Sequence, residues 1–358
     1  KKSRTLVGVY TYNRVSKPQR PYLNLMVKLI LSISSFFILP IISSSKISSS
    51  SRRAFFRDGY ILIDELLSEN ECDELRKEFF KLFQGDFDTH IYPDEWYPGR
   101  ISSSNSITKD TPVREIVNAW KSSNLVAAIA LSPRLGRSVC ELMGWSGVRL
   151  AQDDCVWKLP DGGGPVAFHR DANYISNQFL PRDDNSVTIW IPLDYADQTN
   201  GVLEYALGSH RWCKNYFKNE HSVDDASFHG ADANSYRNAA LIEKKKSYSS
   251  QDKEDQIVFS SISIKAGSAL IHHQDVLHGS PPNIHPTRHR RALVLHYIRH
   301  DLRFRTHPIP DYIYGRYVLH SDPQRLFDDF FPLVFSIDGK HLIPTSAASR
   351  RLQWRNQR

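Results

Sequence analysis

The stretch Val148-Arg149-Leu150-Ala151-Gln152-Asp153-Asp154-Cys155-Val156-Trp157-Lys158-Leu159-Pro160-Asp161-Gly162-Gly163-Gly164-Pro165-Val166-Ala167-Phe168-His169-Arg170-Asp171 decides the fold. Its apolar residues gather in short runs at 148–151, 155–159 and 166–169, and Asp161-Gly162-Gly163-Gly164 breaks the chain between the last two. Runs of this length bounded by Gly and Pro read as strands. The same texture recurs downstream at 187–193, 201–206, 258–264, 268–272 and 292–298, with turn signals such as Thr199-Asn200-Gly201 between runs. Many short strands so punctuated predict a closed, mainly β architecture, a jelly roll or barrel. Residues 214–256 interrupt the pattern. They are polar, carry Lys244-Lys245-Lys246 on what reads as a solvated face, and are expected to form an insertion or lid over one mouth of the barrel.

Upstream, the folded part is expected to begin near Phe55. Arg57-Asp58-Gly59-Tyr60 leads into the strand-like Ile61-Leu62-Ile63. Ser68-Glu69-Asn70-Glu71 is a capping box, followed by Cys72, Leu75, Phe79 and Leu82 at helical spacing and a stop at Gly85. Thr111-Pro112 and Ser132-Pro133 each carry the signature of a helix start, the second helix running to Gly144. These helices flank the β region. The expected organisation is a leader over 1–51, a jelly-roll domain over 52–318 and a C-terminal tail over 319–358 that packs on it.

The formal charge of +7 is uneven. Residues 1–53 hold ten Lys/Arg and no acid, leaving 36 basic against 39 acidic residues in the remainder, a balance of −3. A nucleic-acid-binding core is therefore excluded, since it needs a cationic folded surface. The apolar run at 29–42 has fourteen residues, short of the ~20 of a membrane span. With the serines after it, the run reads as a signal or transit peptide, pointing to the secretory pathway or an organelle; the alternative is an untranslated or disordered extension on a cytoplasmic protein. Cys72, Cys140, Cys155 and Cys213 show no C-x-x-C pairing, so a disulfide scaffold and a structural zinc module are not expected.

His-x-Asp occurs three times, at His169/Asp171, His273/Asp275 and His320/Asp322. Residues i and i+2 of extended chain share a face and can hold adjacent corners of one metal. A second histidine from a distant strand then completes a two-His-one-carboxylate triad, the signature of non-haem Fe(II) oxygenases, which keeps positions open for O2 and small molecules. Only the first copy has room, because 106 residues of β-rich chain separate Asp171 from His278. His169, Asp171 and His278 are thus the candidate catalytic metal ligands. Iron centres of this kind usually take 2-oxoglutarate as co-substrate, whose far carboxylate calls for a fixed cation. Arg290 and Arg291 open a strand and point to opposite faces, and Arg288 competes with them because the loop before it leaves the register open.

With these residues in place, the chain resembles the phytanoyl-CoA dioxygenase family of Fe(II)/2-oxoglutarate oxygenases over roughly residues 55–300. The resemblance runs through Phe56-Arg57-Asp58-Gly59-Tyr60, Trp157-Lys158-Leu159-Pro160 and His169-Arg170-Asp171. It continues through Thr188-Ile189-Trp190-Ile191-Pro192-Leu193-Asp194, Asn200-Gly201-Val202-Leu203, Gly208-Ser209-His210-Arg211 and His278-Gly279-Ser280-Pro281-Pro282-Asn283, and ends at Arg290-Arg291-Ala292-Leu293. It implies a double-stranded β-helix with N-terminal helices packed on it, iron on His169, Asp171 and His278, and the distal carboxylate of 2-oxoglutarate on Arg290 and Ser280. Trp190 would line that pocket, with Lys158 nearby. Two features depart from the family pattern. Position 170 is Arg where relatives often have Gln, and the loop before the arginines is one residue longer. Halogenating relatives have a small residue at the Asp171 corner, so the carboxylate implies hydroxylation of a small-molecule or lipid-like substrate. The rival readings are a non-catalytic jelly-roll binding module with a vestigial metal site and a cupin-like metal enzyme that does not use 2-oxoglutarate.

Overall fold

The structure, a computed structural model, describes residues 47–97, 113–212, 236–247 and 257–339. The apolar run of the leader, Cys213 and most of the 214–256 segment lie outside the described residues. In chain order the elements are α1 (Ser49–Asp58), β1 (Tyr60–Ile63), α2 (Glu69–Phe83), β2 (Glu95–Tyr97), β3 (Arg114–Val117), α3 (Asn124–Ala130), α4 (Pro133–Met143), β4 (Gly147–Lys158), β5 (Val166–His169), α5 (Asp171–Tyr174), β6 (Phe179–Leu180), β7 (Ser186–Pro192), β8 (Glu204–Ala206), α6 (Asn238–Ser247), β9 (Phe259–Ser261), β10 (Ala269–His273), β11 (His278–Ser280), β12 (Arg290–Arg299), β13 (Arg303–Phe304) and β14 (Leu333–Ser336).

Two antiparallel sheets face each other. The larger runs β1-β10-β7-β12-β4-β3-β2, with β14 also on β4, and the smaller runs β5-β11-β8-β9. The spine of the larger sheet is the β12–β4 ladder, ten register pairs from Arg290↔Lys158 to Arg299↔Val148. Alternation along β12 sorts its side chains. Leu293, Leu295 and Tyr297 go to the helical side, packing with Phe79 and Leu82 of α2 and Leu135 and Val139 of α4. Ala292 and Val294 turn inward and join Trp190, Val202, Tyr205, Leu270 and Val276 in a core between the sheets. Each of the leucines and valines among them, fully buried, contributes roughly 1.5–3 kcal/mol. The expected mainly β fold with flanking helices, a double-stranded β-helix, is the fold observed.

Local signals behave as their chemistry requires at several points. Ser68 and Glu71 form the reciprocal capping box that opens α2. Gly59 and Gly144 end α1 and α4 in the left-handed conformation, at φ 93° and 75°. Three expectations need correction. Residues 49–51 belong to α1 rather than to the leader, because Ser48 caps the helix and Arg52 Nε donates to the Leu142 carbonyl at 2.7 Å. The helix expected from Thr111-Pro112 is replaced at 114–117 by strand β3, which pairs with β4 and buries Ile116 and Val117. Runs 148–151 and 155–159 form one strand, β4, whose polar middle is accommodated inside the molecule.

The described part of the insertion, residues 236–247, lies against the back of the smaller sheet. Tyr236 and Ala240 pack with Phe168, Ala206 and Leu277, and no described residue of the insertion lines the cavity between the sheets. The expected lid is, in that part, a buttress. From the C-terminal tail, β14 pairs with β4 and Leu326 and Phe331 are buried. No helix among the described residues is long and apolar enough to cross a membrane.

Candidate metal centre and anion pocket

A cavity of about 120 Å³ lies between the sheets. His169 ends β5, Asp171 opens α5 and His278 opens β11. Strand pairing sets His278 directly opposite His169. Arg170 is extended, at φ −117° and ψ 129°, so His169 and Asp171 keep the i, i+2 relation expected of them. The Nε2 atoms of His169 and His278 each lie 3.5 Å from Asp171 Oδ1. Ligand atoms ~2.1 Å from one ion and at right angles lie about 3 Å apart, so the three atoms fit one face of a metal's coordination sphere.

Hydrogen bonds fix the chemical state of each ligand. The Nδ1 atoms of His169 and His278 donate to the carbonyls of Ala167 and Val276, at 2.8 and 3.0 Å, so both Nε2 lone pairs face the shared point. Asp171 Oδ2 accepts from the Thr188 hydroxyl and from His272 Nε2, the latter at 2.9 Å, which leaves Oδ1 for a metal. Tyr205 donates to His272 Nδ1 at 3.1 Å and holds that tautomer. Burial pushes His278 well below the usual histidine range, aided by His169 and His272, so it stays neutral and able to ligate. Burial alone would raise Asp171, but His278, His169 and His272 outweigh it and keep the carboxyl well below its usual range. This donor set of two neutral imidazoles and one carboxylate suits a divalent first-row metal.

The second His-x-Asp copy is engaged elsewhere. His273, Asp184 and Asp275 cluster, but Arg182 pairs with Asp275 at 3.0 Å and His273 Nε2 donates to Asp184 at 2.9 Å. Gln274 between them is a bracket. Its Oε1 accepts from the backbone N–H groups of Asn185 and Ser186, at 2.9 and 2.7 Å, while its carbonyl takes the N–H of Ala172 beside Asp171. In the third copy, His320 is exposed.

At the other end of the cavity floor sits Arg290, 2% exposed, opposite Lys158, which is fully buried. Ser280 Oγ accepts from Lys158 Nζ at 2.6 Å and from Arg290 Nη2 at 3.2 Å. Arg290 lies over the Trp190 ring at 5.7 Å, and its Nε has no hydrogen-bond partner. Burial lowers both cations, Lys158 further because Arg290 is beside it and Arg290 to about 9. Two buried cations with an orphaned donor and no carboxylate in hydrogen-bond contact among the described residues form a cradle for an anion. The register also separates the three arginines. Arg291 is bound by Asp194 at 2.6 and 2.9 Å and Arg288 by Asp197 at 2.7 Å, both away from the cavity.

Beside the metal point lies a buried polar layer not anticipated from the sequence. His296 Nδ1 donates to Thr188 Oγ1 at 2.9 Å and His296 Nε2 to Asp154 at 2.8 Å, while Gln152 Nε2 donates to Asp154 at 2.8 Å. His296, Thr188 and His272 form one row across β12, β7 and β10. Their signal in the sequence was the polar break at 152–154 within an apolar run and the histidines at strand-alternation positions. Tyr174 also lines the cavity, whereas its neighbour Asn173 is exposed and does not.

Comparison with known proteins agrees with this geometry. The chain is 21% identical over 273 residues to a Caenorhabditis elegans phytanoyl-CoA dioxygenase domain-containing protein 1 homolog, covering 68% of this chain and 88% of that one. It is 24% identical over 260 residues to the Danio rerio phytanoyl-CoA dioxygenase domain-containing protein 1, covering 64% and 82%. Among solved structures, the non-heme alpha ketoglutarate dependent carbocyclase SnoK from nogalamycin biosynthesis superposes with a TM-score of 0.57 at 19% identity, covering 80% of this chain and 96% of that one. EctD from S. alaskensis, solved with 2-oxoglutarate and 5-hydroxyectoine, gives 0.53 at 19% identity, covering 75% and 82%. The profile of the phytanoyl-CoA dioxygenase (PhyH) family matches residues 55–292, about two thirds of the sequence, and the chain belongs to that family.

Proposed function

We propose that the protein is an Fe(II)- and 2-oxoglutarate-dependent dioxygenase that uses O2 to hydroxylate a small organic molecule. The observation that carries the reading is the convergence of His169 Nε2, His278 Nε2 and Asp171 Oδ1, together with a buried Arg290–Ser280–Lys158 cradle suited to an anion. The family relatives and the carbocyclase and hydroxyectoine-bound neighbours support an oxidative function without naming a substrate. Asp171 at the third corner favours hydroxylation over halide transfer.

His169, Asp171 and His278 would hold the iron, and Arg290 with Ser280 would receive the far carboxylate of 2-oxoglutarate. When bound, iron and 2-oxoglutarate supply an oxidant strong enough to break an unreactive C–H bond, with succinate and carbon dioxide as by-products. The protein's own share is positional. The Ala167 and Val276 carbonyls aim the imidazoles, Thr188 and His272 leave one Asp171 oxygen free, and the Trp190 ring walls the cradle. Val156, Val294 and Leu203 keep the middle of the cavity apolar, which shields the reacting atoms from water.

The test is succinate release from 2-oxoglutarate by protein loaded anaerobically with Fe(II), across a broad substrate panel. Turnover, coupled or uncoupled, that disappears in His169→Ala is the expected result. Its absence throughout the panel would overturn the reading.

A further inference from the structure

Arg170 stands between two of the metal-ligand candidates and is 6% exposed. Its guanidinium reaches three other segments. Nη1 donates to the carbonyl of Ser209 at 3.2 Å and to that of Asp275, and Nη2 lies 3.5 Å from Glu243 of α6. Each contact bears on the metal centre. Asp275 is three residues before His278. Ser209 Oγ accepts the N–H of Leu277, next to the same histidine, at 2.8 Å. Among the described residues, Glu243 is the one carboxylate within ion-pair distance of Arg170.

The helix that carries Glu243 is seated on the back of the ligand strands. Tyr236, just before it, takes the Phe168 N–H on its carbonyl at 2.7 Å. Glu204 of β8 receives the Tyr236 hydroxyl at 2.8 Å and Arg237 Nε at 2.9 Å. Phe168 and Leu277, whose apolar side chains meet Ala240, precede His169 and His278 in the chain. Without Glu243 the guanidinium would keep only the carbonyls and the more distant Asp275 carboxylate, which Arg182 already pairs, and it would relax by moving toward water. Here that movement would drag the backbone between His169 and Asp171.

We propose that Arg170 and Glu243 couple metal binding to the folding of the helix at 238–247, with Arg170 as a positioning residue that holds both ligand-bearing segments at bonding distance only while Glu243 neutralises it. This rests on the metal reading above. Linkage makes the coupling reciprocal. If the docked helix raises metal affinity by some factor, bound metal stabilises the helix by the same factor.

The experiment uses the full chain under anaerobic conditions with Co(II) as probe, titrated by calorimetry and by the visible d–d bands. Amide hydrogen exchange over 238–247 is followed with and without Co(II). Glu243→Gln is expected to weaken Co(II) about tenfold, and Arg170→Gln at least as much, in line with other outer-sphere partners of metal ligands. The double variant should bind no more weakly than Arg170→Gln alone, and Arg170→Lys should recover part of the loss. Co(II) should slow exchange in the helix of the wild type and lose that effect in Glu243→Gln. A Glu243→Gln protein with wild-type Co(II) affinity and spectrum overturns the coupling, as does exchange over 238–247 that ignores the metal, even where thermal stability falls. Glu243 is partly exposed, so this variant carries the test if Arg170→Gln does not fold. A wild type that binds no Co(II) overturns the metal reading itself, a result distinct from failure of the coupling.

Discussion

Replacing Thr188 with valine probes how tightly the protein controls its carboxylate ligand. The side chain is 2% exposed and nearly the same shape as valine, so packing survives and two hydrogen bonds are lost. One is donated by the hydroxyl to Asp171 Oδ2, and the other is accepted from His296 Nδ1. A hydrogen bond to a charged group contributes about 1.5–3 kcal/mol. At about 1.4 kcal/mol per decade, that energy bounds the loss of metal affinity at roughly 10–100-fold, because the metal-free protein makes the same bond. The orphaned His296 N–H costs a further ~1–3 kcal/mol, but in the metal-free and metal-bound protein alike. It therefore lowers thermal stability without adding to the affinity change. The assay is anaerobic calorimetric titration of Mn(II) or Co(II) into wild type, Thr188→Val and Thr188→Ser. Serine keeps the hydroxyl and should stay near wild type. Valine binding as tightly as wild type, or serine falling with valine, would refute the claim that Thr188 fixes Asp171 as a single-oxygen ligand.

Other perturbations test the remaining parts. Arg290→Ala should weaken 2-oxoglutarate binding about 100-fold, the equivalent of ~3 kcal/mol of charge-assisted hydrogen bonds. Arg291→Ala removes an outward ion pair and should change that affinity less than about twofold, both measured by competition at fixed metal. In metal-free protein, His278 and His272 lie below their ordinary value of 6.5 because of burial. The unfolded chain therefore takes up their protons first as pH falls below ~6.5, and stability declines there. His296 runs the other way, since Asp154 outweighs burial and raises it. Its contribution is full below 6.5 and fades as pH rises through the raised value. Melting temperatures from about pH 7 to about pH 5.5 should fall for wild type and fall less for His278→Gln. Gly279→Ala would bring a methyl within 2.6 Å of Phe168 Cδ2 and 2.8 Å of the Val166 carbonyl. It should cost roughly 1–3 kcal/mol in denaturant unfolding and weaken metal binding through the neighbouring His278.

Much of this site was legible in the sequence because its ligands sit where strand periodicity and spacing speak. His169 and Asp171 lie two apart on extended chain, and the distance to His278 leaves room for the intervening strands. Alternation places Arg290 and Arg291 on opposite faces, but which of them is inside depends on the β12–β4 register, a tertiary fact. The supporting shell was harder to see. Asp154, Thr188, His272 and His296 come from four strands and acquire meaning only as neighbours across the sheet. The polar residues of β4 looked like a break between strands because burial of Asp153 and Asp154 is paid for by partners remote in sequence, the Trp120 N–H and His296. The helix expected at 111 failed for a similar reason. Its capping signal was local, whereas an open edge of β4 was available to pair with 114–117.

The ten-rung ladder between β12 and β4 has a consequence for how this protein tolerates change. A slip of one rung would bring Arg291 into the cradle and send Arg290 out, reversing every side chain of the strand at once. Because so many rungs oppose the slip, a residue added at the exposed tip of the connection, Pro286-Thr287, would not change which guanidinium faces inward. An extra residue there is thus silent at the cradle, and diversity in that connection can accumulate on the outside of the molecule while the anion seat keeps its address.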